Sequence, residues 1–135
     1  MKLNLESIAS ERDAWTAAGV ALPKFDIAAV RAETAKAPEW VHFGAGNIFR
    51  GFIGSLSQRL LNEGLAKTGI IACDTFDYEV IEKIYDAHDS LTLNVLLNPD
   101  GTTPASTSRV VVPSGFRRTL SVRLSCASYI FSITS

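Results

Sequence analysis

The chain has 135 residues, enough for one domain with a real core and too few for two ordinary ones; its 47% hydrophobic and 20% charged content is that of a soluble globular protein. A net charge of −1 excludes an electrostatic nucleic-acid binder, and the absence of any run of about 18 apolar residues excludes a transmembrane helix. Cys73 and Cys126 form neither a metal-type cluster nor a disulfide framework, and residues 1–12 mix Lys2, Glu6, Glu11 and Arg12 with apolar positions instead of forming a secretory signal, so a cytoplasmic, reduced setting is expected.

Residues 1–38 read as a leader with short helices. Ser10 is placed to cap a helix over residues 11–18, and Gly19 to stop it. Asp26 reads as the N-cap of a second helix through about residue 35. Its apolar stripe, Ile27 and Val30, is interrupted by Arg31 and Thr34, and Pro38 closes the segment.

Residues 40–43, Trp-Val-His-Phe, form a short strand-type run that ends abruptly at Gly44. Asn47 is placed to cap a long amphipathic helix whose apolar positions are Phe52, Leu56, Leu60 and Leu61, with Gly64 as its left-handed terminus. Residues 69–73, Gly-Ile-Ile-Ala-Cys, suit a strand buried on both faces. Asp74 or Thr75 then caps a helix with Val80, Ile81, Ile84 and Tyr85 inward. Residues 91–98 read as a third strand, Pro99-Asp100-Gly101 as a turn and residues 109–112 as a fourth strand. Alternating strands and helices predict an α/β fold: a partial Rossmann-type, doubly wound sheet, mainly parallel, over residues 39–112. Residues 113–135 are a Ser/Arg-rich tail. After Asp100 the chain has no Asp, Glu or Lys, although α/β domains use Lys and Glu freely on helix surfaces, so the tail is expected to be out of frame with its gene.

The segment Phe43-Gly44-Ala45-Gly46-Asn47-Ile48-Phe49-Arg50-Gly51 carries the chemistry. It follows a strand and opens a helix, the context of a dinucleotide fingerprint. Gly44 permits the tight exit from the strand, and Gly46 lets a pyrophosphate approach the backbone. The helix N-terminus offers N–H groups and a positive dipole end, and Arg50 adds charge. Phe49 stands where the third glycine of G-x-G-x-x-G belongs, so the helix either sits further from the sheet or its ring fills the gap. At the end of the second strand, Asp74 is placed to accept the ribose hydroxyls of NAD and to repel the 2′-phosphate of NADP, though it falls later than the usual offset of about 20 residues. Asp77 and Glu79 are alternative acids. His42 reads as packed in or beside the sheet, Cys73 as an inert strand thiol and His88 as a solvated turn residue. No nucleophile–base pair and no metal-spaced cluster is visible, so no catalytic or metal-binding residue is assigned.

Residues 40 to about 101 resemble the N-terminal domain of the polyol-specific long-chain dehydrogenases, the mannitol dehydrogenase and mannonate/fructuronate oxidoreductase group. The resemblance rests on residues 42–51, with Phe49 and Arg50 in place of the third glycine, on Asp74-Thr75-Phe76-Asp77 and on the Asn98-Pro99-Asp100-Gly101 turn. It implies NAD-dependent oxidation of the secondary alcohol of a sugar alcohol or sugar acid. It implies cofactor contacts at Gly44, Ala45, Gly46, Asn47, Ile48, Phe49 and Arg50, and at Asp74. The family's lysine base belongs to a helical C-terminal domain that nothing here matches, and the last lysine is Lys83. The expected partners are therefore a nicotinamide dinucleotide and, in the full-length protein, a small polyol or sugar acid; nucleic acid and membrane are not expected. Two other readings stand beside this one: a non-catalytic nucleotide-binding module, and a methyltransferase-like domain. The latter usually has an acidic residue just before the first glycine, and residues 40–43 supply none.

Overall fold

The computed structural model describes residues 1–74, 78–95 and 108–111. The elements in chain order are α1 (Leu5–Ser10), α2 (Arg12–Ala17), β1 (Val20–Ala21), α3 (Ile27–Lys36), β2 (Trp40–Phe43), α4 (Gly54–Asn62), β3 (Ile70–Cys73), α5 (Tyr78–Val80), β4 (Thr92–Asn94) and β5 (Ser108–Val111). A π-helical turn, Phe49–Ile53, leads into α4. A second, Ile81–Tyr85, continues α5 and ends in a 3₁₀ turn, Asp86–His88.

The chain is mixed α/β, and its described strands form two small sheets. β2 and β3 are parallel, in register from Trp40 beside Ile70 to Phe43 beside Cys73. β1 pairs parallel with β5, and β5 pairs antiparallel with β4. Two of these three pairings are parallel, as the mainly parallel expectation has it, but the described strands fall in two sheets instead of one. The turn read at residues 98–101 lies outside the described residues, as do Cys126 and the tail.

Among the described residues, two clusters form the core. Ile8, Trp15, Val20 and Leu91 make one; Ala45, Phe49, Ile70, Ala72, Ile81 and Tyr85 make the other. Of the expected inward positions of the α5 segment, Ile81 and Tyr85 are buried, Val80 packs against them and Ile84 is half-buried outside the cluster. Strand β3 buries Ile70 and Ala72 on one face and leaves Ile71 and Cys73 half-covered on the other, so it is not buried on both faces.

Local signals decide the helix ends. Asp26 caps α3 through its side chain, which accepts from the N–H groups of Ala28 and Ala29. Thr34, which interrupts the apolar stripe of α3, is buried as a polar link: its hydroxyl donates to Val30 O at 2.6 Å and accepts from Gly69 N at 2.8 Å. Gly19 and Gly64 take positive φ, as helix stops do. Ser10 is not a cap. It closes α1, whose own cap is Asn4, and its hydroxyl bonds back to Glu6 O. Asn4, followed by the apolar Leu5 and Ile8, is the start signal for that helix.

The largest correction concerns α4. Phe52, Leu56 and Leu60 are 59%, 39% and 41% exposed, whereas Leu61 is 5% exposed and the buried face is completed by Gly54, Ser57 and Gln58. The cause is the wide turn. An unbroken α-helix starting from buried Phe49 would bring Phe52, Leu56 and Leu60 round to the same side. The π-helical turn holds one extra residue, which rotates everything after it by about 100°. Phe49 is therefore followed inward by Gly54 and Leu61, while Phe52, Leu56 and Leu60 of the expected stripe face outward.

Candidate functional site

The parallel pairing of β2 with β3 places the ends of both strands side by side. Gly44 N donates to Cys73 O at 2.7 Å, which extends the ladder by one bond into the loop. Gly44 then turns with φ +102°, a conformation costly for any residue with a Cβ. The loop thus leaves the strand as the glycine pattern requires. Gly46 is exposed, its φ lies outside the positive region, and a Cβ built there meets nothing within 4 Å. The backbone at Gly46 is therefore open to a ligand.

Ala45, between the glycines, is fully buried and held on both sides. Its N–H donates to Asp74 Oδ2 at 3.0 Å. Its carbonyl accepts two bonds, from the Tyr85 hydroxyl at 2.6 Å and from Arg50 Nη1 at 2.9 Å, which uses both of its lone pairs. The Tyr85 phenol is itself fully buried. Burial pushes its pKa above the ordinary 10.0, against the opposing pull of Arg50, so the phenol stays protonated and able to donate at neutral pH.

Arg50 folds back over the loop. Nη1 goes to Ala45 O, Nη2 to Asn47 Oδ1, and the guanidinium lies 5.8 Å from the centroid of the Tyr85 ring. Helical structure begins at Asn47, and Arg50 N bonds to Gly46 O at 3.1 Å. Asn47 therefore sits inside the first turn instead of before it, and Gly46 holds the position expected for its cap. Phe49 fills the space a third glycine would leave: it is buried and stacks on His42 with centroids 4.9 Å apart. His42 thus packs beside the sheet. Ile48 is exposed.

Asn94 of β4 reaches the widened turn. Its Nδ2 lies 3.1 Å from Arg50 O, 3.3 Å from Gly51 O and 2.7 Å from Ser55 Oγ. Neither Asn94 nor Tyr85 stood out as a site residue in the sequence. The available signal was chemical: a tyrosine in an otherwise aliphatic inward stripe needs a partner for its hydroxyl.

The structure brings Gly44, Ala45, Gly46, Asn47, Phe49, Arg50 and Asp74 to one end of the β2–β3 pair. Asp77 lies outside the described residues. Glu79 is exposed and pairs with Lys83 at 2.8 Å. His88 is half-buried, with Nδ1 3.1 Å from Leu3 O, and is thus less solvated than its polar neighbours suggest. Among the described residues there is no group of three or more His, Cys, Asp or Glu able to hold a metal, and no helix long and apolar enough to cross a membrane.

A strand, a positive-φ glycine, an open glycine and an acid at the end of the next parallel strand give the loop its character. No family model matches the chain. The D-mannonate oxidoreductase of Thermotoga maritima is 50% identical over 101 residues, which are 75% of this chain. By sequence, this chain resembles a mannonate oxidoreductase. It spans 19% of the length of that mannonate oxidoreductase. The fold matches part of a D-sorbitol dehydrogenase crystallised in substrate-free form, with a TM-score of 0.62 at 21% identity, over 86% of this chain and 22% of the dehydrogenase.

Proposed function

We propose that this chain supplies the NAD-binding part of an oxidoreductase acting on the secondary alcohol of a sugar alcohol or sugar acid. Its described strands are part of a Rossmann-type, doubly wound sheet in a cytoplasmic protein. The observation that carries the reading is the Gly44-Ala45-Gly46 loop at the carboxyl end of β2, with Asp74 at the end of the adjacent parallel strand. In a parallel α/β sheet, ligands bind in the crevice outside the carboxyl ends of the strands. The pyrophosphate is assigned to Gly46 and the helix N-terminus from Asn47, where the first N–H groups have no intrahelical acceptor. Asp74 takes the adenosine ribose, which favours NAD over NADP because a 2′-phosphate would meet a carboxylate. NAD, when bound, supplies hydride acceptance.

Calorimetry with NAD and NADP on the 135-residue chain tests this. NAD should bind more tightly than NADP. Asp74→Ala should weaken NAD by about 1–3 kcal/mol, the range for losing a charge-assisted hydrogen bond, and should narrow the gap to NADP. Equal affinity of the parent for both dinucleotides, with no effect of Asp74→Ala, sinks the assignment of Asp74.

A further inference from the structure

We infer that Tyr85 is a positioning residue for the glycine loop: its buried hydroxyl, bonded to Ala45 O, fixes the Ala45–Gly46 peptide so that the Gly46 N–H points outward. The ligand that this N–H meets is the dinucleotide of the preceding section, and on that point alone the inference rests on that reading.

No peptide bond among the described residues is cis. In a trans peptide, the C=O of one residue and the N–H of the next point in opposite directions. Ala45 O points inward, since it accepts from the hydroxyl of a fully buried tyrosine. The Gly46 N–H therefore points away from the core, on the side where Gly46 is exposed and free of neighbours. The preceding peptide is held in the same manner, with the Ala45 N–H on Asp74 Oδ2. Two groups 40 and 29 positions away in sequence thus lock successive peptides of the loop. Such an N–H is directed before any ligand arrives, and the binding step does not have to order it. Arg50 shares Ala45 O but comes from the helix that the loop itself opens, whereas Tyr85 anchors the loop to a separate element.

Nuclear magnetic resonance and calorimetry on the full 135-residue chain test the inference. Without ligand, the Gly46 amide of the parent should exchange with solvent rapidly and the Ala45 amide slowly. Equal protection of the two would overturn the proposed orientation, and this measurement needs no variant. Tyr85→Phe keeps the ring and removes only the hydroxyl. It should move the Gly46 amide resonance while leaving those of Ile70 and Ala72 in place, and it should weaken NAD by about fivefold to tenfold. An unmoved Gly46 resonance with NAD affinity within about twofold of the parent overturns the role. If the Gly46 resonance moves but the parent binds no dinucleotide, the positioning role stands and the dinucleotide reading falls.

Discussion

The two loop glycines look alike in the sequence but make opposite predictions in the structure. At Gly46 a Cβ meets nothing within 4 Å, and the backbone is not in the positive-φ region. Gly46→Val should therefore fold with little loss, within about 1 kcal/mol of the parent, because an exposed position with open space imposes no clash. The same open space is where a pyrophosphate would sit, and the valine methyls would fill it. Losing one or two charge-assisted hydrogen bonds of about 1.5–3 kcal/mol each predicts a fall in NAD affinity of about tenfold or more. At Gly44 the space is equally open, but φ is +102°. Gly44→Val should cost about 1–3 kcal/mol of stability through backbone strain alone. Urea denaturation followed by circular dichroism gives the stability of each variant, and calorimetry gives the NAD affinity. If Gly46→Val binds NAD like the parent, the loop is only a turn. If Gly44→Val is as stable as the parent, the positive-φ exit from β2 is wrong.

Arg50→Ala should weaken NAD, and the loss should persist at about 1 M salt, where the screening length is about 3 Å. Arg50 is half-buried and bonded to the loop itself, so its effect is exerted through Ala45 and Asn47; a loss that vanishes in salt would make it a screened phosphate contact instead. Leu61→Ala should cost about 2–5 kcal/mol, as buried leucines do, whereas Phe52→Ala on the exposed side should cost under about 1 kcal/mol. Similar costs from urea denaturation for the two would refute the rotated face of α4. The 135-residue chain assayed alone with mannitol, mannonate, fructuronate and fructose should give no NADH signal at an ordinary rate of about 1 per second, since removing a hydroxyl proton needs a positioned base. Turnover would point to an overlooked base among His42, Lys67, Lys83 and His88.

What was legible in the sequence is what depends on local chemistry. The exit at Gly44, the Asp26 cap and the Gly64 stop each follow from a backbone requirement that only a few residue types meet. The strand before the loop and the helix after it were legible for the same reason. The ring of Phe49 in place of a third glycine was readable as one of two alternatives, and the stack on His42 selects the filled gap. The face of α4 was not legible, because reading an apolar stripe assumes a constant period and nothing in Phe49-Arg50-Gly51-Phe52-Ile53 announces a five-residue step. Support for that step comes from Asn94, more than 40 positions away. The role of Tyr85 was hidden for a related reason: its position was legible as core, but its partner is set by tertiary placement.

The helical segment that carries Tyr85 also ends against the first residues of the chain. Asp89 and Ser90 take positive φ in succession, and Ser90 N closes back on Tyr85 O at 2.7 Å. Asp89 receives Leu5 N on its carboxylate and Arg31 Nη2 on its carbonyl, and Leu91 enters the cluster of Ile8, Trp15 and Val20. One short segment therefore serves two neighbourhoods, the glycine loop at one end and the N-terminal helices at the other. Free energy spent ordering either end is shared by the other, and the sharing is reciprocal. A dinucleotide that tightens the loop should slow hydrogen exchange at Leu5, and a chain shortened at its N-terminus should bind that dinucleotide less well although no contact with it has been removed.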